Sequence, residues 1–329
     1  MLLSRRTILT LTIAVPAAMG TLPASAQDPA TNYPGKPVHV IVGFAAGGGN
    51  DLFARLIGQK FSDNIGQPVI IENKPGAGGR LAVEYAMSQA ADGYTLVVGA
   101  TGQMAVASAI YPKLPYHPTR TFAPLAMIAS FPLILAGPMN DSIRSVQDLV
   151  SWGKAHPEQS NYATSSPAFT ITSELFKLKT GMPAQAIPYK SSNEMMLSIA
   201  GGQTLFAIAD GPPTVPLVTG GKVRALAVTG SARSSELPDV PSMAEVGLPD
   251  VDVALWSGVF VLAGTPAAVR GKLEAELRRV LADEGVREKL RAMAVNSGGP
   301  VGDDFRRTID TDIRRFADIV RQANLKFEE

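Results

Sequence analysis

Cysteine is absent from the 329-residue sequence. That excludes disulfides, thiolate metal sites and a cysteine nucleophile, and it leaves stability to a packed core alone. Histidine is scarce, with three residues in all, His39, His117 and His156. The first lies inside an apolar run and the others sit beside prolines, so no pair has metal-ligand spacing and all three read as structural or surface residues. Net charge is nearly missing too, with 30 basic residues against 29 acidic ones. Such a balance supplies no broad positive field for nucleic acid or an anionic membrane. The N-terminal apolar stretch, Ile8 to Met19, is shorter than the roughly 20 residues that a membrane-crossing helix needs. With Arg5 and Arg6 before it and the small-residue run "ASA" ending at Ala26, it reads as a cleaved export segment over residues 1–26. "SRRTIL" is a partial twin-arginine pattern, and the general secretory route fits equally well. The expected location of the mature chain is the periplasm.

What is present points to a globular protein. Hydrophobic residues make up 46% and charged residues 18% of the sequence, enough for a sizeable core, and the length suits two domains. Val38 to Phe44 reads as a buried strand, and "NDLFARLIGQKF" follows with helical spacing at Leu52, Phe53, Leu56, Ile57 and Phe61. "PVIIE" and "YTLVVGA" continue as strands, with a helix over "RLAVEYAMSQA" between them. Strands alternating with helices of this length imply parallel pairing under a helical cover. Two short apolar runs, "LAMIA" and "LILA", are split by "SFP", after which the rhythm restarts with "NYAT", "QAIPY", "LFAIA" ending at Asp210, and "RALAVT". Helices are expected over "VQDLVSWGKA", "TSELFKLKT" and "NEMMLSIA", where Met195 and Met196 read as core. "SGVFVLA" opens the last strand, before two long amphipathic helices at Pro266–Ala282 and Asp303–Ala323. The two runs predict two lobes. Packing of the C-terminal helices on the first makes it discontinuous: residues 27–130 plus 252–329 form lobe 1, and 131–251 form lobe 2.

The stretch "GFAAGGGND", Gly43 to Asp51, sits where the first strand meets its helix. In an open parallel sheet that end of the strands is where ligands bind. Glycines admit a ligand close to the backbone, and the free N–H groups of the helix favour an anion. A tight turn that only eases packing would show the same residues. Asn50 or Asp51 is expected to cap the helix, with Asp51 directing its charge at helix N–H groups. A Walker loop is excluded, since Gly49 and Asn50 stand where Lys and Ser/Thr are required. A dinucleotide fingerprint has Leu52 in place of its third glycine, although Glu72 mimics the ribose-binding acid. An exported α/β oxidoreductase holding a dinucleotide at Gly43–Asp51 is therefore the alternative reading. "TSSPAFT" lacks the G-x-S-x-G elbow, which leaves Ser165 and Ser166 weak as nucleophiles.

Five stretches in order carry a wider resemblance: "GFAAGGGNDLFAR", "VIIENKPGAGG" with "DGYTLVVG", "YPKLPYHPTRTFAP", "IPYKSSNEMMLSIAGGQ" leading to Asp210, and "GKVRALAVTGSARSSELPDVPSMAEVGLP". Together they make the chain resemble the Bug family, the extracytoplasmic solute receptors of tripartite tricarboxylate transporters. The resemblance implies a periplasmic binding protein-like (type II) α/β fold, with two α/β lobes and a ligand cleft between them. It implies no catalysis and no cofactor. It also implies a monomer that captures a small organic acid or amino-acid-like ligand and serves membrane transporter subunits or a sensor kinase. The site residues carried over are Phe44, Ala46, Gly48, Gly49 and Asp51 in the first loop, then Thr101, Gly102 and Gln103 after the third strand. The second lobe contributes Thr164, Ser165, Ser166, Ala168, Phe169 and Thr170, and Asp210. The family's second-lobe loop is usually glycine-rich and followed by histidine. Here "ATSSPAFTITSELF" is shorter, with Pro167 and Phe169, which implies a stiffer loop with an aromatic face near the ligand. The expected site binds its anion through peptide amides, with no arginine in its motifs.

Overall fold

The computed structural model describes residues 31–322, so the export segment expected at 1–26 lies outside the described residues. The chain begins as the sequence predicts. β1 (Val38–Val42) leads through the glycine loop into α1 (Gly49–Ile65), which buries Phe53, Ala54, Ile57 and Phe61 and ends on Gly66. β2 (Val69–Asn73), α2 (Arg80–Met87) and β3 (Thr95–Ala100) follow, and β1 pairs in parallel with both neighbouring strands. After β3 comes a π-helical turn, Gly102–Val106, running into the short α3 (Ala107–Ile110).

β4 (Phe122–Pro132) is one strand of 11 residues that takes in "SFP", so the expected split between the two apolar runs falls directly after it, at Leu133. Pro132 is tolerated because it pairs at the very end of the ladder, against Ala254. β5 (Ile134–Pro138) begins the second sheet one residue later. α4 (Val146–Ala155), β6 (Asn161–Thr164), α5 (Pro167–Thr180), β7 (Gln185–Pro188), α6 (Ser192–Ala200) and β8 (Phe206–Ala209) build it. α5 starts at Pro167, so most of the expected loop through Thr170 is the first turn of a helix. Proline at the first helical position needs no donor and presets the backbone angle. The same rule explains α7 (Gly211–Thr219), which contains Pro212, Pro213 and Pro216 and which the sequence reading leaves out. Two of these prolines lie in the first turn, where N–H groups have no intrahelical partner. β9 (Val223–Val228) completes the second sheet.

The chain then returns to the first sheet with β10 (Ala254–Leu262), α8 (Ala267–Ala282), α9 (Glu284–Arg291), β11 (Asn296–Ser297) and α10 (Asp303–Gln322). Of these, α9 and β11 are too short to show a clear period in the sequence. The first sheet has strand order β11-β4-β10-β3-β1-β2 and the second β7-β6-β8-β5-β9. α10 buries Phe305, Ile309 and Phe316 on the first sheet, where Phe305 meets Trp256 edge-on at 5.0 Å. The molecule is thus α/β, with two lobes and a cleft between them.

Where the chain crosses between sheets it is tied by one buried hydroxyl. Thr229 Oγ1 accepts from the Leu133 amide at 2.7 Å and donates to the Val253 carbonyl at 2.6 Å, while the Thr229 amide donates to the Leu133 carbonyl at 2.8 Å. The two crossings therefore lie side by side, where a small change in backbone angles can swing one sheet against the other.

Candidate functional site

The C-terminal ends of β1, β3, β6 and β8 converge on the interlobe cleft. An inner pocket of about 20 Å³ lies deep in it, and an outer chamber of about 550 Å³ opens beside it. Both are lined by Phe44, Ser165 and Ser166, so the two spaces meet there. Gly48, Gly49, Thr101, Gly102, Ala168, Phe169 and Asp210 line the inner pocket, while Thr164 and Thr170 line the outer chamber. Three sequence-predicted residues line neither. Ala46 points to solvent, while Asp51 and Gln103 are buried behind the loops.

Asp51 does not serve the helix N–H groups as expected. Gly48 is the N-cap of α1 and offers no side-chain cap. Asp51 Oδ2 instead accepts from the Gly47 amide at 2.9 Å and Arg55 Nε at 3.0 Å, and Oδ1 accepts from Asn73 Nδ2 at 2.8 Å. Asn73 Nδ2 also reaches the Phe44 carbonyl at 2.9 Å. Burial pushes the Asp51 carboxyl up, but its bonds to Arg55, Gly47 and Asn73 outweigh that and hold it below the ordinary range. Asp51 is thus a brace behind the glycine loop. The reason is steric: Gly47 has φ +84, which folds its amide back over the carboxylate.

The glycines face the other lobe. A Cβ at Gly49 would stand 1.8 Å from Asp210 Oδ2, and one at Gly48 would stand 3.2 Å from Ser191 Cβ. The Gly49 amide donates to Ser192 Oγ at 3.4 Å and the Ala45 amide to the Lys190 carbonyl at 3.3 Å. Gly43 lies equally close to Gly79, where a Cβ would meet Gly79 O at 2.7 Å. Glycine here means close approach of backbone to backbone and of lobe to lobe.

Most hydroxyls of the predicted site are already engaged. Thr101 Oγ1 bridges to Trp256, accepting from its amide at 2.7 Å and donating to its carbonyl at 3.0 Å. Thr164 and Thr170 share a hydrogen bond at 2.9 Å, and Ser166 Oγ caps α5 by accepting from the Phe169 amide at 3.5 Å. Three of the predicted residues carry buried polar groups with no partner: Ser165 Oγ, Asp210 Oδ1 and the Gln103 carboxamide. Asp210 is wholly enclosed, and burial raises its pKa to about 6 despite a hydrogen bond from Ser192. Phe169 is 8% exposed and is at once a core contact and a wall of the inner pocket.

The sequence reading misses Ser192, Trp256, Arg80 and Tyr111. Ser192 lies one residue into α6 and Trp256 on the returning β10, so their nearness is a product of the fold. Arg80 carries a faint signal, since it directly follows the glycine run 76–79. The Arg80 guanidinium lies over the Tyr111 ring at 4.1 Å in the outer chamber, so an arginine stands beside the predicted residues. Glu72, the mimic of a ribose-binding acid, lines neither space and is held by His39 at 2.6 Å and Lys74 at 3.2 Å. Among the described residues no cluster of His, Cys, Asp or Glu has metal-binding geometry.

Comparison with known proteins agrees with this architecture. Residues 53–325 match the tripartite tricarboxylate transporter family receptor. Protein BugT of Bordetella pertussis is 32% identical over 314 residues, covering 94% of this chain and 96% of BugT. An R. palustris protein solved with adipate superposes with a TM-score of 0.86 at 32% identity, covering 89% of this chain and 99% of that one. MatC from Rhodopseudomonas palustris, with bound malate, gives 0.84 at 30% identity, covering 88% and 100%. The cleft between two lobes, its glycine loop and these likenesses lead to one assignment: the chain belongs to the receptor family of tripartite tricarboxylate transporters, the Bug-type extracytoplasmic solute receptors.

Proposed function

We propose that this protein is a periplasmic receptor that captures a small carboxylate-bearing ligand in its interlobe cleft. Lobe closure about Leu133, Thr229 and Val253 then presents the loaded form to membrane transporter subunits or to a sensor kinase. The lobes this reading uses are 27–130 plus 252–329 and 131–251. No step of bond making is part of the reading.

The observation that carries it is the contrast in helix starts around the cleft. α1, α2 and α7 all begin there, and none has a side-chain cap. An anion seated at such an end takes hydrogen bonds from backbone N–H groups and gains from the helix dipole. Hydrogen bonds to a charged group contribute about 1.5–3 kcal/mol each, and micromolar affinity needs about 8 kcal/mol. Four or five such bonds in a water-excluded pocket are enough, even after the ordering of the lobes is counted. The unpartnered Ser165 Oγ supplies a donor on the second lobe, while the amides of Gly48 and Gly49, now in long bonds of 3.4 Å to the Ala45 carbonyl and Ser192 Oγ, supply donors on the first once those bonds are exchanged for the ligand. Asp210 Oδ1 is an acceptor, so it suits a ligand hydroxyl, ammonium or acid proton rather than a bare carboxylate oxygen. The ligands of the two R. palustris relatives, adipate and malate, fit the same class.

A thermal-shift screen of carboxylates, amino acids and NAD(P) tests the reading. A ligand at 100 times its Kd adds about 2.7 kcal/mol to stability. At about 2–4 °C per kcal/mol the rise in Tm is easily measured. Stabilisation by carboxylates or amino acids is expected; stabilisation by NAD(P) alone overturns the receptor reading.

A further inference from the structure

Two cationic residues, Arg80 and Lys190, line the outer chamber, and Arg80 has no counter-ion among the described residues. Arg80 opens α2 directly behind Gly76, Gly78 and Gly79, all with positive φ. Its guanidinium lies over the Tyr111 ring at 4.1 Å, and its Nε is buried with no hydrogen-bond partner. Among the described residues Arg80 takes part in no ion pair. Other arginines of the chain do: Arg55 holds Asp51 at 2.9 Å and Arg233 holds Glu245 at 2.9 Å. Glu84, one turn along α2, is exposed and gives Arg80 no ion pair. Glu194, the acid lining the chamber, already accepts the Lys190 amide at 3.1 Å.

A guanidinium with a desolvated, unpaired donor is unfavourable until an acceptor completes it, and a planar oxyanion does so with two parallel hydrogen bonds. The contact with the Tyr111 ring at 4.1 Å restricts the guanidinium, so less freedom is lost when the anion arrives. The chamber adjoins the inner pocket, since Phe44, Ser165 and Ser166 line both. At about 20 Å³ the inner pocket has room for about one water, so a ligand head enters it only as the lobes part, and its far end then lies toward Arg80.

We infer that Arg80, held by Tyr111, is the specificity-determining residue for the distal end of the ligand, and that this end is a carboxylate or an equivalent planar oxyanion. The inference rests on the cleft being the carboxylate site of the preceding section. Tyr111 is a positioning residue, acting through the guanidinium plane.

The test uses the mature receptor in calorimetric titrations with straight-chain dicarboxylates of about four to eight carbons and with the monoamide of each. The wild type is expected to bind the best dicarboxylate at least about 10-fold more tightly than its monoamide. Arg80→Gln is expected to bring that ratio below about 3. Arg80→Lys keeps the charge without the planar fork and is expected to fall between, and Tyr111→Leu lowers the ratio while leaving Arg80 in place. A ratio that stays at the wild-type value in Arg80→Gln overturns the inference and leaves the receptor reading standing. Failure of both series to bind the wild type removes the carboxylate site itself. Because the readout is a ratio within each protein, a general loss of folded material does not imitate the result.

Discussion

The two walls of the cleft solve the same problem in opposite ways. On the second lobe α4, α5 and α6 each begin with a serine whose hydroxyl accepts from the amide three residues on: Ser145 from Asp148, Ser166 from Phe169, and Ser191 from Glu194. On the first lobe α1 and α2 begin at Gly48 and Gly79, with no side-chain cap. The capped ends are complete within their own lobe. The glycine ends admit a partner from outside; in this structure the other lobe presses on Gly48 through Ser191 and Ser192, while Gly79 is met by Gln103 and Phe44 of its own lobe. A helix that finishes its own hydrogen bonds stabilises the fold, and one left open is available for closure and binding. Asp210 belongs with the second kind, since it precedes α7 without capping it.

The sharpest way to break this comparison is to add a methyl group at the seam. A Cβ at Gly211 would lie 2.0 Å from the Met293 carbonyl oxygen, a backbone atom that cannot turn away. Gly211→Ala is therefore expected to force the lobes apart or unseat α7. Ligand-induced stabilisation should vanish and affinity fall by more than about 100-fold, or about 2.7 kcal/mol. Gly49→Ala meets Asp210 Oδ2, the end of a side chain that can rotate, so its loss should be smaller. Titration of both variants checks the order; equal affinities would mean that the seam does not govern closure.

The enclosed Asp210 is next in size. Its folded pKa of about 6 lies above the ordinary 3.8. The native state therefore binds more protons than the unfolded chain in the window between these values, and stability falls as pH rises through it. The loss is up to about 3 kcal/mol by pH 7. Asp210→Asn should be more stable than the wild type at pH 7, with the gap closing toward pH 4. Urea midpoints across that range decide, and a pH-independent gap would show that the carboxyl is not the titrating group.

Ser165 and Ser166 are neighbours with different employment, and alanine at each should separate the two roles. Ser166→Ala removes the α5 cap and is expected to lower stability by about 1 kcal/mol. Ser165→Ala removes a hydroxyl with no partner in the protein, so Tm should hold while affinity falls by about 3- to 10-fold. Denaturation and titration of both variants measure it. The smallest effect is expected far from the seam. Gly271 lies inside α8, and a Cβ there meets nothing within 4 Å. Gly271→Ala should add about 0.5–1 kcal/mol and leave binding unchanged, in contrast to Gly49→Ala.

Much of this was legible from residue order. The strands around "VHVIV", "YTLVVGA" and "NYAT" show unbroken apolar or alternating runs, and the Ser145 cap with Asp148 three residues later marks the start of α4. What was hidden had local signals pointing the wrong way. Pro212 and Pro213 argue against a helix until they are placed in its first turn, where no donor is needed. "SFP" looks like a turn until Pro132 is found at the end of a ladder. Asp51 looks like a cap until Asn73 and Arg55 are seen around it. Arg80 follows its glycines in plain view, but its lack of a counter-ion becomes visible only once Tyr111 is folded against it.

By itself, the order of apolar and glycine residues determined that β and α elements alternate and that glycine loops end the strands. These features depend on neighbours a few residues apart, through backbone angles, caps and periodicity. Only the tertiary structure decided which groups remain unpaired, among them Arg80 Nε, the Gln103 carboxamide, Ser165 Oγ and Asp210 Oδ1. Whether a polar atom is satisfied depends on atoms more than a hundred residues away, brought near by the return of β10 and the closing of one lobe on the other.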